Sequence, residues 1–287
     1  MKMGIDISTF QNKLNFKVAK EENVKFVIIR GGFTGSANKS LNKDDRFEQH
    51  YKNAVANNLS VGVYYFSRAT SYNEGKKEAE FLYNNCLKNK KFQYPIYIDV
   101  EDNYYQQKAT KEQIDSAIKG FCEYIESKKG YAGVYCNLNW ANNYMNYNEL
   151  SKKYDFWLAY WGKEKPSRNK YGNYGVWQYG GETNYIRSNK IDNMVVDQNF
   201  SYKNYEEIMS KNNLNNFIEK DTINKDDNIN DNDDIKDEDN INNDNDIKDE
   251  DNINNEDNIN ENKISFFTKL FKKIYNFIIN LFKKNKK

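Results

Sequence analysis

The chain of 287 residues contains a single histidine, His50. This all but excludes a histidine-based nucleophile relay and any multi-histidine metal site. Acid–base chemistry must then fall to carboxylates, Tyr, Lys or Cys. Cysteine is scarce as well: Cys86, Cys122 and Cys136 form an odd set with no CxxC spacing. That pattern argues against a disulfide framework and fits three small buried apolar residues in a reducing compartment. Met1 to Phe10 lacks the basic-then-apolar pattern of a secretory leader. The expectation is a protein made in the cytoplasm that reaches any external substrate by release or by another export route. His50 lies in Phe47-Glu48-Gln49-His50-Tyr51, a helical pattern, and is expected at the surface.

The hydrophobic fraction of 38% averages over unlike parts. Residues 1–215 are rich in Tyr, Phe, Trp, Val and Ile, whereas 221–262 are nearly all Asn, Asp, Glu, Lys and Ile. The latter stretch holds 17 acidic and 3 basic residues, while 263–287 holds 8 Lys and no acid. The net charge of +1 therefore leaves about +7 on the first 220 residues. A basic body suits a polyanionic partner. Bacterial wall polymers, nucleic acid and anionic membranes all qualify, and charge alone does not choose among them.

Short β-rich runs alternate with helical patterns over the first 200 residues. The runs are Gly4–Ser8, Lys25–Gly31, Ser60–Phe66, Tyr94–Glu101, Tyr131–Cys136, Asp155–Trp161, Gly175–Tyr179 and Met194–Asn199. Helices are expected near 12–22, 43–58, 73–90 and 110–129. Thr110 followed three residues later by Gln113 forms a capping-box pattern, and Gly130 after Lys128-Lys129 marks a helix end. Asn57-Asn58 reads as a turn. The alternation predicts an α/β fold with a parallel sheet, and eight runs suit a closed TIM-like β/α barrel. About five βα units are followed by three strands whose connections leave little room for helices.

Ile96-Tyr97-Ile98-Asp99-Val100-Glu101-Asp102 carries the strongest chemical signal. Strand alternation puts Tyr97, Asp99 and Glu101 on one face. Paired carboxylates at the C-terminal end of a barrel strand read as catalytic. Each pushes the other's pKa, so that one stays protonated as a general acid. Glycoside cleavage needs such a pair. A solvated strand end or a set of metal ligands is the plainer reading of the same residues. Asp6 sits in the apolar run Gly4–Ser8, where a carboxylate is costly without a partner or a task. Asp197 sits in the last run. First and last strands of a closed barrel are neighbours, so Asp6, Asp99, Glu101 and Asp197 are expected to converge on one mouth.

The order of motifs resembles family 25 of the glycoside hydrolases, the Chalaropsis-type lysozymes common among phage endolysins. The matching pieces are GIDIS with Gln11, FVIIRGG, DDRF then YKNA, LSVGVYYFSRA, YPIYIDVED, AGVYCN, FWLAYW, VWQYGG and VVDQN, spanning about 1–205. The resemblance implies a modified β/α barrel that cuts the β-1,4 bond between N-acetylmuramic acid and N-acetylglucosamine, with bacterial peptidoglycan as partner and neither metal, cofactor nor nucleic acid. It further implies Glu101 as general acid/base, Asp99 as its partner, and Asp6 and Asp197 as the other acids. The route is retaining, with either the sugar's acetamido group or a carboxylate as nucleophile. Tyr64, Trp157, Trp161 and Trp177 fall in matching strand-end motifs as candidate platforms for sugar rings, each with core packing as its alternative. Arg30 stands where the family often has Lys and is placed to contact substrate, as is Gln178. A non-catalytic glycan-binding barrel, a chitinase and a membrane-active protein whose cationic tail is the effector are the competing readings.

Three parts are thus expected: a catalytic barrel over 1–215, a disordered acidic linker over 216–262, and a basic amphipathic helix over 263–287. The linker contains IKDEDNINN twice, at Ile235–Asn243 and Ile247–Asn255. It is too polar to bury a core, and it lacks the central Gly of a calcium loop. In 264–282, Ser265, Thr268, Lys269, Lys272, Lys273, Asn276 and Asn280 form one polar helical stripe opposite Phe266, Phe267, Leu270, Phe271, Ile274, Phe277 and Ile278. The three internal lysines make a spanning helix costly, and an interfacial helix on an anionic membrane is the better match, ahead of a partner-binding helix. Some 42 linker residues would give the barrel a reach of roughly 35 Å from such an anchor. A fluorescent 263–287 peptide should bind phosphatidylglycerol vesicles and ignore neutral ones; indifference to both removes the membrane role.

Overall fold

The computed structural model describes residues 1–181 and 190–218. The acidic repeat and the amphipathic segment lie outside the described residues. In chain order the elements are β1 (Lys2–Ile7), α1 (Phe16–Glu21), β2 (Phe26–Thr34), β3 (Leu41–Lys43), α2 (Phe47–Ala56), β4 (Ser60–Phe66), α3 (Tyr72–Leu82), β5 (Ile96–Asp99) and α4 (Lys111–Ser127). There follow β6 (Ala132–Asn137), α5 (Leu138–Asn143), α6 (Tyr147–Lys153), β7 (Asp155–Ala159), α7 (Arg168–Tyr171), β8 (Val176–Gly180), β9 (Lys190–Ile191), β10 (Met194–Val195), β11 (Asp197–Ser201) and α8 (Tyr205–Asn212).

Eight strands close into a barrel in the order β1-β2-β4-β5-β6-β7-β8-β11, with β11 returning to β1. Every neighbouring pair from β1 through β8 is parallel. The expected five βα units followed by three strands are present. The sheet is not wholly parallel, however, because β11 runs antiparallel to both β8 and β1. A parallel return needs a long crossover, usually a helix, whereas an antiparallel one does not. The described part of the β8–β11 connection holds only the small β9–β10 pairing. A further short strand, β3, was not anticipated; it adds antiparallel to β2 beyond the barrel.

Two cores follow from strand alternation. Val27, Ile29, Val61, Val63, Ile96 and Ile98 point outward into the layer shared with the helices. Phe26, Ile28, Tyr97, Tyr135, Trp157 and Val176 point inward and fill the barrel. Tyr205 and Met209 of α8 belong to the inner cluster and close the end where the strands begin. There Asp155 accepts bonds from Tyr205 Oη at 2.7 Å, Lys203 Nζ at 2.8 Å and Tyr131 Oη at 3.2 Å. Lys2 and Ser60, at the starts of β1 and β4, both bond Glu206 of α8. With that end sealed, the C-terminal mouth is left for chemistry.

Local signals held in part. Thr110 and Gln113 form the reciprocal capping box, and Asn58 adopts the left-handed turn conformation with φ 53°. After α4 the left-handed residue is Lys129, φ 60°, and not Gly130. Glycine at 130 answers a need for space, because a Cβ there would overlap the Ile125 side chain. The helix expected over 12–22 shortens to Phe16–Glu21, with the Asn15 side chain capping Lys17 and Val18 N–H. His50 is buried, contrary to the surface expectation. It lies on the inner face of α2, its Nε2 is 3.1 Å from the Ser8 carbonyl, and its ring packs near Phe16. Cys86, Cys122 and Cys136 are free and buried, as expected.

Helices α3 and α4 cross at two glycines. A Cβ on Gly75 would overlap the Ala117 carbonyl, and one on Gly120 would overlap the Tyr72 carbonyl. Backbone cannot yield as a flexible side chain does. Gly120→Ala should therefore lose about 1–3 kcal/mol by urea denaturation, despite alanine's better helix propensity; equal or raised stability would show that the helices separate freely.

Candidate active site

Asp6, Asp99, Glu101 and Asp197 do converge at the C-terminal mouth. Asp6 and Asp197 are cross-strand partners on β1 and β11. Asp99 ends β5, and Glu101 lies two residues beyond it, since the strand stops earlier than the apolar run implied. A cleft of about 700 Å³ opens over them. Glu101 and Asp197 line it, together with Tyr135, Asn137, Tyr160 and Trp161. Asp99 and Asp6 lie beneath, only 4% and 7% exposed. Exposure thus separates the pair: Glu101 can touch a ligand directly, and Asp99 is the buried support.

Burial dominates the electrostatics. It pushes Glu101 up to about 7, aided by the negative charge of Asp6 and opposed by a hydrogen bond with Asn137. Asn137 ends β6 and caps α5, its Oδ1 accepting the Trp140 N–H at 3.1 Å. With that oxygen engaged, the amide nitrogen is the group left to donate to Glu101. Burial also pushes Asp6 up to about 6, against hydrogen bonds from Asn199 and Gln178. Those bonds run from Asn199 Nδ2 at 2.8 Å and Gln178 Nε2 at 3.0 Å to the same oxygen, Oδ2. Asp99 is raised well above the usual carboxylate range by burial first, then by the charges of Glu101 and Asp6, with Arg30 opposing. Its Oδ1 is buried without a hydrogen-bond partner among the described residues. Acids this close titrate as a set, and protons are retained among them near neutrality.

Gln178 organises one side of the mouth. Its Oε1 accepts from Tyr135 Oη at 3.2 Å and Trp161 Nε1 at 3.0 Å, which leaves Nε2 to face Asp6. A Cβ on Gly181 would overlap Asp197 Oδ1 and crowd the Trp161 ring. Glycine at that position is therefore what lets both close on the cleft.

The aromatic candidates divide. Trp161, 40% exposed, lines the cleft and remains a platform candidate. Trp157 is 1% exposed and sits one layer down inside the barrel. Its ring packs 4.4 Å from Tyr135, 5.3 Å from Tyr97 and 6.0 Å from Tyr64, and Nε1 bonds Asn199. It supports the floor and presents no face to a sugar. Trp177 belongs to the outer core and bonds the Tyr160 carbonyl through Nε1 at 2.8 Å. Gln178 faces inward, so its strand neighbour Trp177 must face outward. Tyr64 is half-buried at the inner wall, within reach of Arg30, Asp6, Asp99 and Asp197. Arg30 is not free to clamp a ligand by its full fork, because Nε bonds buried Asp44 at 2.7 Å. Asn137, Tyr135, Asn199, Tyr160 and Asp44 were not singled out from sequence. Asn199 was within reach, since it shares the inward period of Asp197.

Among the described residues no group of His, Cys, Asp and Glu has the arrangement of a metal site. The glycosyl hydrolases family 25 model matches residues 5–187. Lysozyme M1 of Streptomyces globisporus is 26% identical over 208 residues, covering 66% of this chain and 67% of that protein. The muramidase structure from Acremonium alcalophilum superposes with a TM-score of 0.60 at 20% identity, covering 74% of this chain and 99% of that one. The bacterial lysozyme structure from Streptomyces coelicolor gives 0.59 at 22% identity, covering 75% and 98%. At such identities the superpositions establish the shared barrel. The family match spans well over half the sequence and runs from the strand that carries Asp6 past the one that carries Gln178; this chain belongs to family 25 of the glycosyl hydrolases and is a glycoside hydrolase.

Proposed function

We propose that the enzyme is a muramidase that hydrolyses the β-1,4 bond between N-acetylmuramic acid and N-acetylglucosamine in bacterial peptidoglycan, acting on the wall after release or export by another route. The observation that carries this reading is the vertical arrangement of the pair. Glu101 stands on the cleft wall, held up to about 7, above a buried Asp99 whose Oδ1 has no hydrogen-bond partner among the described residues. The names of the relatives, a lysozyme and a muramidase, agree with that substrate.

In the proposed reaction the Glu101 carboxyl donates its proton to the glycosidic oxygen as the bond to the anomeric carbon breaks. The neighbouring acetamido oxygen attacks that carbon, giving a cyclic oxazolinium ion. A buried acceptor without a partner is costly, so Asp99 Oδ1 suits the acetamido N–H, and the positive charge that develops there favours the ionised form of Asp99. Water then opens the ring while Glu101, now ionised, takes a proton from it. Two displacements retain the anomeric configuration. Asp6, oriented by Gln178 and Asn199, adds its charge to the burial that chiefly keeps Glu101 protonated. Trp161 offers an apolar ring face beside the cleft, suited to one face of a pyranose.

Digestion of purified peptidoglycan should release disaccharide-peptides with reducible muramic acid ends from wild type and none from Glu101→Gln. Release of fragments by the variant at the wild-type rate removes Glu101 from the role of acid. Failure of both proteins, with wall binding kept, makes the barrel a glycan-binding module instead. The pH profile follows from the sign of the shift. A general acid works only when protonated, and burial raises the Glu101 carboxyl from an ordinary 4.5 to about 7. Its proton is thus in place below that pH and lost above it. Since kcat/KM reports the free enzyme, it should fall tenfold per pH unit on an alkaline limb centred near 7; a limb near 4.5 would show that Glu101 is solvated or is not the acid.

A further inference from the structure

Asp102 follows Glu101 directly, yet it is no part of the acid cluster. It is buried, its Oδ1 accepts from Arg68 Nε at 2.8 Å, and its Oδ2 accepts the backbone N–H groups of Tyr104, Tyr105 and Gln106 at 3.1, 2.6 and 3.3 Å. Its own backbone N–H donates to Gln106 Oε1 at 3.1 Å. Main chain and side chain of the residue after Glu101 are therefore both held.

The holding groups are anchored in turn. Gln106 is buried, and its Nε2 donates to Ser67 Oγ at 3.3 Å and to the Ala69 carbonyl at 3.2 Å. Ser67 Oγ donates to Glu78 Oε2 at 2.5 Å, while Glu78 Oε1 accepts from Thr34 Oγ1 at 2.6 Å and the Arg68 N–H at 3.0 Å. The Arg68 guanidinium also bonds the Thr34 carbonyl and lies 4.9 Å from the centre of the Phe66 ring. The loop after β5 is thus tied to the ends of β2 and β4 through Glu78 of α3.

Such an arrangement is a poor way to gain stability. Buried ionic groups return little net free energy compared with packed apolar ones, and they demand full satisfaction. What they supply is fixed geometry. Glu101 needs that, because it lies past the last residue of β5 and the ladder no longer sets its direction.

We propose that Arg68 and Gln106 are positioning residues which, acting through Asp102, hold Glu101 on the cleft wall beside Asn137. Neither lines the cleft, so neither touches the bond being cut. The inference rests on Glu101 being the general acid.

Arg68→Lys and Gln106→Leu are compared with wild type and Glu101→Gln on solubilised peptidoglycan. Lysine keeps the charge but cannot reproduce the planar fork. Both variants should lose about 10- to 100-fold in kcat with KM within about twofold. In both, the alkaline limb of kcat/KM should move to lower pH, because a displaced Glu101 gains water and loses its main cause of elevation. Folded variants with wild-type kcat and an unmoved limb overturn the proposal, even if their unfolding midpoints drop, since a purely structural network changes stability alone. If Gln106→Leu fails to fold, the partly exposed Arg68 decides through its lysine variant. A Glu101→Gln protein of wild-type activity overturns the identity of the acid itself, a result separable from unchanged rates in the other two.

Discussion

Like charges crowded where water is scarce form the constraint on which this protein depends. Carboxylates stand at one barrel mouth over an aromatic floor, and burial is the largest cause of elevation for Asp6, Asp99 and Glu101 alike. The surrounding groups relieve it only in part. Gln178 and Asn199 bond Asp6, and Asn137 bonds Glu101, each through a neutral amide. An amide orients a carboxylate without cancelling its charge. The cation close enough to depress Asp99, Arg30, is itself engaged by Asp44. A lysine or arginine paired directly with Glu101 would pull its pKa down and remove the proton that the proposed reaction needs.

The opposite end of the barrel obeys the reverse logic. Asp155 is buried there as well, yet a lysine and two tyrosine hydroxyls bond its carboxylate. Lys2 and Glu206 pair across the junction between β1 and α8. Charges are satisfied at the closed end, where the task is to hold the fold, and left in tension at the open end, where the task is chemistry. The aromatic column between them, with Trp157 at its centre, keeps water from relaxing that tension from below.

Much of the site was legible because period-two alternation is a strong rule. It put Asp99 on the inner face with Tyr97, and barrel closure brought Asp6 beside Asp197. The same rule exposes the weak choices. Trp177 and Gln178 are adjacent on β8 and cannot both face the mouth. Trp157 has the right face but the wrong depth, and depth along a barrel axis depends on strand stagger, which no single strand records. The burial of His50 is not legible locally, because a polar residue on a helix reads as solvated and its partner, the Ser8 carbonyl, lies 42 positions away. The engagement of Arg30 by Asp44, 14 positions away, is likewise not written in the sequence around either residue.

Composition and order of residues narrowed the chemistry available: a single histidine made carboxylates the candidate acid–base groups, and strand–helix alternation led to a closed barrel. These are local or averaged properties, written in neighbouring residues. Tertiary structure decided which of two adjacent carboxylates meets the cleft, which tryptophan reaches it, and which way the last strand runs. It also decided that Asp102, one residue from Glu101, belongs to the scaffold and not to the acid cluster. Those outcomes depend on groups far apart in sequence sharing a small volume with little water. The free energy of a charge there depends on everything around it, and that surrounding exists only once the barrel has closed.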